Sequence, residues 1–329
     1  MPVTRRTALG VLALPVLAAL RPGSVAAQAT GRIFVSNEKS HEIFVLGPDY
    51  ATLARIETDR RPRDMHFNRD RSRLYVACGD DDVIDVIDTA TLKVVGAIPT
   101  GPSPEVFAFT PDEACIYVSN EEDSTLEKIE VATGISVAQI ATGAEPEGVA
   151  VSADGKTVYV TSEVADIVHV VDADAGAVRA NIFVGTRPRR FVMTPDGREL
   201  WVSAELSSEV YVIDRATEAV TGVLSYQPPG FRPEDVTPVG MAITADGSKV
   251  LVSLGRANHV AIVDTASRAV LGYVLVGSRA WSVALTRDDS HAIVANGLSD
   301  DITVIDVEAM RPLRSIPVGR VPHTILIDD

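Results

Sequence analysis

Basic side chains are scarce in this sequence of 329 residues, which holds 30 Lys and Arg against 45 Asp and Glu. The formal net charge at pH 7 is −15. Proteins that bind DNA or RNA need a basic footprint for the phosphates, and anionic membrane surfaces attract basic clusters. The charge balance therefore argues against nucleic acid as a partner and disfavours binding to a membrane surface.

Long apolar runs are also missing, apart from a short one near the N-terminus. The run "ALGVLALPVLAAL" follows the pair Arg5–Arg6 and is too short to cross a bilayer core of ~30 Å. An A-x-A cleavage pattern ends at Ala29, so residues 1–29 are predicted to be an export signal. The arginine pair favours twin-arginine export, and an ordinary secretory signal is the alternative. We expect residues 30–329 to be a periplasmic protein with no membrane span.

A repeat of about 42 residues organises the rest of the chain. An acidic residue closes a Val- and Ile-rich segment at Asp88, Glu130, Asp172, Asp214, Asp264 and Asp306. A second marker, a proline, recurs with the same period at Pro62, Pro104, Pro146, Pro188, Pro238 and Pro322, with Ala280 in the remaining position. Each series has a single step of 50 residues, so both share one insertion of eight residues.

Each repeat contains four short segments with the composition of β-strands. In one unit these are "EGVAVSAD", "TVYVTSE", "DIVHVVDA" and "VRANIFVG", and each is bounded by turn-forming residues. The acidic marker is expected to start a turn by accepting a backbone N–H two residues further on. Four antiparallel strands in about 42 residues are the signature of a β-propeller blade.

The number of repeats predicts an all-β, seven-bladed propeller in a single domain, 30–329. The chain begins with strands two to four of one blade, starting at "RIFVSNE", and ends with a lone first strand, "PHTILIDD". We therefore expect the termini to share a blade in a 3+1 arrangement, with Ile325 beside the strand of Phe34. Most inner-strand positions next to the central channel are small, but His66 and Arg190 stand there as exceptions.

Only two cysteines occur, Cys78 and Cys115. The repeat alignment places them at opposite ends of equivalent strands in neighbouring blades, separated by about 16 Å of strand at ~3.3 Å per residue. A disulfide needs Cα atoms within about 7 Å. Two free thiols are predicted, even for an exported chain.

One loop set concentrates chemistry at one mouth of the channel. The residues on either side of the proline marker are predicted to converge there, and function usually lies on loops held by a rigid scaffold. Arginine is suited to binding carboxylates or phosphates, so these positions are candidates for a ligand or partner site. The candidates are Arg61, Arg63, Glu145, Glu147, Arg187, Arg189, Arg190, Arg279, Trp281 and His323.

A second loop set on the same face is acidic and would surround that mouth, with Glu38, Asp80, Glu121, Glu163 and Glu205. Two interpretations stay open: either the arginines and glutamates neutralise one another, or they form a site for a ligand or partner. The triplet Asp80–Asp82 lacks the spaced ligands of a calcium loop and is better explained as a turn. No metal site and no catalytic motif are predicted.

The eight-residue insertion lies in "SYQPPGFRPEDVTP". The prolines make this loop stiff, and Tyr226 and Phe231 make it apolar. We expect it to project as a lid over the mouth or as a docking surface for a partner. The alternative is a surface loop without function.

The segments "LYVAC", "IYVSN" and "VYVTS", together with "VIDTAT", resemble the YVTN-type β-propeller repeat family. The resemblance extends over the whole chain after the predicted signal, and the most similar subgroup is the exported propellers associated with PQQ-dependent alcohol catabolism. It implies a periplasmic accessory protein of a quinoprotein dehydrogenase system. The partner would be such a dehydrogenase or a cytochrome, and this chain itself would bind no cofactor.

Two functional hypotheses result. The first is a non-catalytic binding or scaffold protein that holds a protein partner or a small acidic ligand at the channel mouth. The second is an enzyme of the seven-bladed lactonase or lyase type, in which ring closure would bring His323, Arg63 and Glu38 together.

Overall fold

The computed structural model describes residues 29–329, so the predicted export signal lies outside the described residues except for Ala29. The described chain forms 28 β-strands in seven four-stranded antiparallel sheets, with one short 3₁₀ turn at Pro233–Asp235. The prediction of a seven-bladed, all-β propeller is confirmed. Among the described helices none is long and apolar enough to span a bilayer.

The strands follow one another with short connections. In chain order their bounds are β1 Arg32–Asn37, β2 Glu42–Leu46, β3 Thr52–Glu57, β4 Pro62–Phe67, β5 Arg73–Cys78, β6 Val83–Asp88, β7 Lys93–Pro99, β8 Pro104–Phe109, β9 Cys115–Asn120, β10 Thr125–Glu130, β11 Ile135–Ala141, β12 Pro146–Val151, β13 Thr157–Ser162 and β14 Ile167–Asp172. They continue with β15 Ala177–Phe183, β16 Pro188–Met193, β17 Glu199–Ala204, β18 Glu209–Asp214, β19 Ala219–Ser225, β20 Met241–Ile243, β21 Lys249–Ser253, β22 His259–Asp264, β23 Val270–Leu275, β24 Ala280–Leu285, β25 His291–Asn296, β26 Asp301–Asp306, β27 Arg311–Pro317 and β28 Pro322–Asp328.

The core lies between the blades. The second strand of each sheet is buried on both faces, which explains why it reads as a nearly continuous apolar run and not as a strict alternation. The buried side chains form separate apolar clusters, each shared by two neighbouring sheets. Because every blade is packed between two others, the position of the loops at the channel mouth is fixed by the whole ring.

Ring closure occurs through the chain termini, as predicted. The sheet order β28-β1-β2-β3 places the last strand against the first, with Val35 opposite Ile325 and Phe34 opposite Leu326. The side chain of Ile325 is only 4% exposed and packs in the cluster that joins this blade to the preceding one. The last strand thus pairs with the first and completes one sheet, so that neither strand has an unpaired edge where the two meet.

Small residues at the axis are required by the taper of the blades. A Cβ atom on Gly148 would lie 2.2 Å from the carbonyl oxygen of Arg189 in the next blade. A Cβ atom on Gly240 would lie 2.6 Å from the Cα of Ser282. Inner strands approach one another too closely for a side chain at these positions, because each contact is backbone that cannot move aside.

The repeated aspartates stabilise hairpin turns. The Asp88 carboxylate accepts a hydrogen bond from the backbone N–H of Thr91 at 2.8 Å, and Asp214 accepts one from Thr217 at the same distance. At these two turns the donor is the third residue after the aspartate, whereas at Asp172 the second residue, Asp174, also donates, as expected from the sequence. The turns between first and second strands do use the second residue, as in the bond from the Lys156 N–H to Asp154. The repeated aspartates thus have a structural role.

Both cysteines are free thiols, as predicted. Cys78 is buried at the end of β5, and Cys115 is half-buried at the start of β9. Burial raises the pKa of the Cys78 thiol, so this side chain behaves as an apolar core residue.

Truncation of Ile325 tests the contribution of the closing strand. We expect Ile325→Ala to lower the free energy of unfolding by about 2–5 kcal/mol, because it opens a cavity where the two termini meet. Leu313→Ala, on the outer strand β27 with 41% of its surface exposed, is the control and should change stability by less than about 1 kcal/mol. Chemical denaturation followed by far-UV circular dichroism measures both. Equal effects for the two variants would contradict a stabilising role for terminal pairing.

Candidate functional site at the channel mouth

A backbone turn before each inner strand positions the residues of the mouth. The residue before the proline marker has a left-handed φ in six of the seven blades, including 62° at Arg61, 59° at Arg187 and 63° at Arg279. Its carbonyl accepts a hydrogen bond from the residue that follows the second strand of the same blade, as from the Glu205 N–H to the Arg187 carbonyl at 2.9 Å. Left-handed φ is unfavourable for residues other than glycine, so the surrounding hydrogen bonds must maintain it.

The backbone N–H of this left-handed residue donates a hydrogen bond to a side chain of the preceding blade. Asp82 accepts from Ser103, Asp166 from Arg187, and Asp300 from Val321, at 2.9 to 3.1 Å. Asn258 does the same for Arg279 at 2.8 Å. The sequence drew attention to the first acid of each of these loops, whereas Asp82, Asp166 and Asp300, later in the loops, hold the turn of the next blade. The spacing of 21 residues between donor and acceptor was a signal that could have identified them.

One cluster of ion pairs lies around Arg61 and Arg63. The Arg61 guanidinium is 3.0 Å from Glu105, 3.3 Å from Glu38 and 3.7 Å from Glu121. Arg63 is buried and contacts the same Glu105, whose side chain is fully buried. Both arginines predicted for this part of the mouth are therefore held by carboxylates of this chain.

A second cluster has Arg189 at its centre. This arginine is 2% exposed and contacts Glu163, with Glu147 at 3.3 Å and Glu205 at 3.7 Å. Three further arginines complete the cluster through the same carboxylates. Arg187 lies 2.7 Å from Glu163, Arg190 lies 3.0 Å from Glu147, and Arg279 lies 2.7 Å from Glu205.

Two adjacent glutamates of this cluster differ in their proton affinity. Burial alone would raise the pKa of Glu147, but Arg189, Arg190 and Arg63 outweigh it and lower that pKa to about 2. Burial and the neighbouring Glu147 carboxylate raise the pKa of Glu163 to about 8, despite Arg189 and Arg187. The pair therefore holds a proton that an exposed pair would release at neutral pH.

Of the two interpretations left open by the sequence, mutual neutralisation accounts for most of the charge at the mouth. All six predicted arginines pair with glutamates of the second strands' loops or of the inner strands. Glu145, in contrast, is exposed and forms no ion pair within the described residues. The mouth is a nearly neutral network of charges and not a basic patch.

Trp281 and His323 form an aromatic floor beside this network. Their rings lie 5.4 Å apart, and the guanidinium groups of Arg279 and Arg189 lie 4.8 and 5.1 Å from the Trp281 ring. His323 is buried, and burial together with Arg63, Arg190 and Arg189 lowers its pKa well below the usual range. The imidazole is thus neutral at physiological pH.

A cavity of about 580 Å³ opens above this floor. Its wall includes Trp281 and His323 and also Arg256, Asn258 and Leu298. Leu298 is 75% exposed. Arg256 is exposed and forms no ion pair within residues 29–329. Neither Arg256 nor Leu298 was among the predicted residues, because both follow the second strands, where the sequence drew attention only to acids.

The insertion loop is placed differently from the expectation. Tyr226 is 2% exposed and packs in an apolar cluster with Trp201 and Val236, so it does not project. Phe231 is half-buried and lies 5.5 Å from the His259 ring. The loop is tied down further by a hydrogen bond from the Gln227 N–H to the Tyr273 hydroxyl. The apolar side chains of the loop pack between two blades. Tyr226 is therefore not available to a partner.

No group of three or more His, Cys, Asp and Glu is arranged to hold a metal ion in the part of the chain that the structure describes. Of the alternative constellation, His323 and Glu38 line the same cavity at the mouth, and Arg63 contributes to lowering the pKa of His323. Arg63, however, is already paired with Glu105.

Comparison with protein families gives one match, to the "Lactonase, 7-bladed beta-propeller" family, over residues 97–228. This segment extends from the end of β7 to the start of the insertion loop, which is less than half of the chain. No curated protein matches the chain.

Solved structures share the fold at low sequence identity. Hydrazine synthase from Kuenenia stuttgartiensis superposes with a TM-score of 0.76 at 22% identity and covers 84% of this chain and 93% of its own. A functionally unknown protein from Desulfotomaculum acetoxidans has a TM-score of 0.76 at 17% identity, covering 90% and 98%. Dihydro-heme d1 dehydrogenase NirN in complex with DHE has a TM-score of 0.69 at 17% identity, covering 96% and 78%. At these identities the likeness concerns the fold alone.

Removal of the central arginine tests the structural role of the network. We expect Arg189→Met to lower the free energy of unfolding by about 3–5 kcal/mol, because three buried glutamates lose their shared cation. Arg187→Met is the control, since its side chain is 41% exposed and contacts two of the same glutamates, and it should lower stability by about 1 kcal/mol or less. Denaturant titrations at pH 7 provide the comparison. Similar values for both variants would show that burial of the network is not what stabilises it.

Proposed function

We propose that this chain is an exported, non-catalytic binding protein of the periplasm. In this proposal it is an accessory to a PQQ-dependent alcohol oxidation system and docks a quinoprotein dehydrogenase or its cytochrome at the channel mouth. Support comes from the predicted export signal and from the resemblance of the sequence to YVTN-type repeats, together with the rigid mouth that seven blades present on one face. PQQ would be held by the partner and not by this chain.

The observation that carries the proposal is the cavity above Trp281 and His323. It combines an exposed leucine, Leu298, with a guanidinium, that of Arg256, which no carboxylate of the described chain neutralises. Tryptophan and arginine side chains are typical of the residues that dominate protein–protein binding. The buried arginines nearby hold the blades together and so give this surface a fixed shape.

The structure also determines which variants are informative. Replacing Arg63 or Arg189 would remove a buried cation from buried glutamates and would disturb the fold. Arg256 and Leu298 are exposed and can be replaced without that effect.

The double variant Arg256→Ala/Leu298→Ala tests docking at the mouth. We expect its Kd for the purified quinoprotein dehydrogenase or cytochrome of the same organism to rise at least tenfold, since both the charge and the apolar contact are lost. The control is Arg198→Ala/Leu271→Ala: Arg198 lies in a turn on the opposite face, and Leu271 is 45% exposed on the outer strand β23. Surface plasmon resonance measures both. An unchanged Kd for the mouth variant, with binding by the wild-type chain, places the docking surface elsewhere.

A second candidate function, lactone hydrolysis, is favoured by the family match over residues 97–228. That segment contributes Glu147, Glu163 and Arg189 to the mouth. In this alternative the neutral His323 would act as a general base near Arg63 and Glu38.

A hydrolysis assay distinguishes the two functions. The binding proposal predicts no turnover of aliphatic and sugar lactones above the buffer rate, with or without added divalent metal ions. Turnover that disappears in His323→Gln, while the far-UV spectrum stays unchanged, would establish the lactonase function instead.

A further inference from the structure

The loop after the second strand of each blade has one position whose side chain is exposed in all seven blades. We call it the apex position; it is the second residue after the strand, or the third after β21, which ends one residue earlier. Its backbone N–H is bonded alike in different blades, as from Val164 to the Ala144 carbonyl and from Leu206 to the Thr186 carbonyl. The apex residues are Lys39, Asp80, Glu122, Val164, Leu206, Arg256 and Leu298.

The residue type at the apex position divides the ring into two halves. On the three consecutive blades that contain β1, β5 and β9, the apex residue is charged. On the blades of β13, β17 and β25 it is apolar, and the exposed fractions are 63% for Val164, 51% for Leu206 and 75% for Leu298. Arg256, on the blade of β21, interrupts this apolar half. Single exposed leucines are common on protein surfaces, but a set confined to one side of a face indicates an interaction site.

The ends of the outermost strands add to the apolar half. Each outermost strand ends on the face that carries the apex loops. Phe183, at the end of β15, is 74% exposed, and Leu275, at the end of β23, is 59% exposed. Both belong to blades of the apolar half. The corresponding last residues of the other outermost strands are Glu57, Pro99, Ala141, Ser225 and Pro317.

The charged half is acidic where it adjoins the apolar half. Glu122 and its neighbour Asp123 are exposed, and neither has an ion-pair partner among the residues that the structure describes. Glu145, on the connection to the next blade, is exposed as well. Asp80 lies 3.8 Å from Arg61, but its side chain is 43% exposed. Unlike the buried glutamates of the ion-pair clusters, these carboxylates are accessible to cations from outside the chain.

We propose that the mouth face docks a protein whose contact surface is apolar on one side and rich in lysine or arginine on the other. The apolar side covers Val164, Leu206 and Leu298, and the basic side faces Glu122 and Asp123. This proposal rests on the proposed docking function and adds the chemistry of the partner and the orientation in which it binds. Burial of the exposed apolar side chains supplies affinity, and the exposed carboxylates steer a basic surface toward the mouth and disfavour an acidic one.

Charge distinguishes this partner from other occupants of an exposed apolar surface. A second copy of the chain carries the same net charge of −15 and the same exposed carboxylates, so the two copies repel one another. An anionic membrane surface is repelled for the same reason. A basic protein surface is complementary to the acidic half while its apolar part covers the other half.

Two synthetic peptides test this surface on the isolated chain. One is a dye-labelled amphipathic helix of leucine and lysine. The other has glutamate in place of every lysine, so both present the same apolar side. Fluorescence anisotropy measures the Kd of each. We expect the lysine peptide to bind at least tenfold more tightly than the glutamate peptide, and its Kd to rise when the salt concentration increases from about 0.02 M to about 0.5 M.

An apolar pair of variants locates the site. Val164→Ser/Leu206→Ser should raise the Kd of the lysine peptide at least fivefold, because two apolar contacts are lost. The matched control is Leu271→Ser/Leu313→Ser, on the outer strands β23 and β27, where the side chains are 45% and 41% exposed. This control should change the Kd by less than twofold.

An acidic pair separates the local carboxylates from the net charge of the chain, which attracts any cationic peptide. Glu122→Gln/Asp123→Asn should raise the Kd of the lysine peptide about three- to tenfold. Asp174→Asn/Glu308→Gln removes the same charge from exposed turns on the opposite face and should raise it by less than twofold. Far-UV circular dichroism verifies that each variant is folded.

The proposal is overturned if the glutamate peptide binds as tightly as the lysine peptide, or if either pair at the mouth binds the lysine peptide like its control. The peptides take the place of the partner, so these results do not depend on the dehydrogenase or the cytochrome. A wild-type chain that discriminates between the peptides but binds neither of those proteins would refute the partner named in the proposed function and would support the chemistry of the docking surface.

Discussion

The left-handed residue before each inner strand is the constraint on which the mouth depends. Its φ is unfavourable, yet it recurs from blade to blade because both of its peptide groups are bonded, the carbonyl within the blade and the N–H to the preceding one. The same turn sets the direction in which Arg61, Arg187 and Arg279 leave the backbone. The scaffold and the chemistry of the mouth therefore share one local conformation.

The charged groups at this mouth mainly hold neighbouring blades together. Arg189 lies among three glutamates from two neighbouring blades, and Arg61 likewise joins several loops. Buried ion pairs contribute little net stability compared with apolar packing, but a missing partner is costly. The network thus favours one arrangement of the blades over others, and in the proposed function recognition falls to exposed groups outside it, Arg256 and Leu298.

The periodic part of the molecule could be predicted from the sequence, and the rest depends on contacts that the period does not contain. Strand identity is local, so the 42-residue spacing led to the blades and to the pairing of Phe34's strand with that of Ile325. The positions around the proline marker were found in the same way. Which glutamate meets which arginine depends on side-chain packing between blades, and the role of Asp82 and Asp166 depends on a bond to the next repeat. Tyr226 lies in the insertion, where no equivalent residue in another blade could indicate burial.

At the exposed mouth positions, outside the buried ion-pair network, the ring geometry separates the stability of the fold from the chemistry of the mouth. Every blade contributes one residue at each mouth position, and these residues are held by their own main-chain N–H and C=O groups, which any substitution at the mouth position except proline preserves. Evolution can therefore exchange the side chains of one blade while six others keep the frame. A protein of this construction can acquire a new specificity in single steps, without passing through an unfolded intermediate sequence.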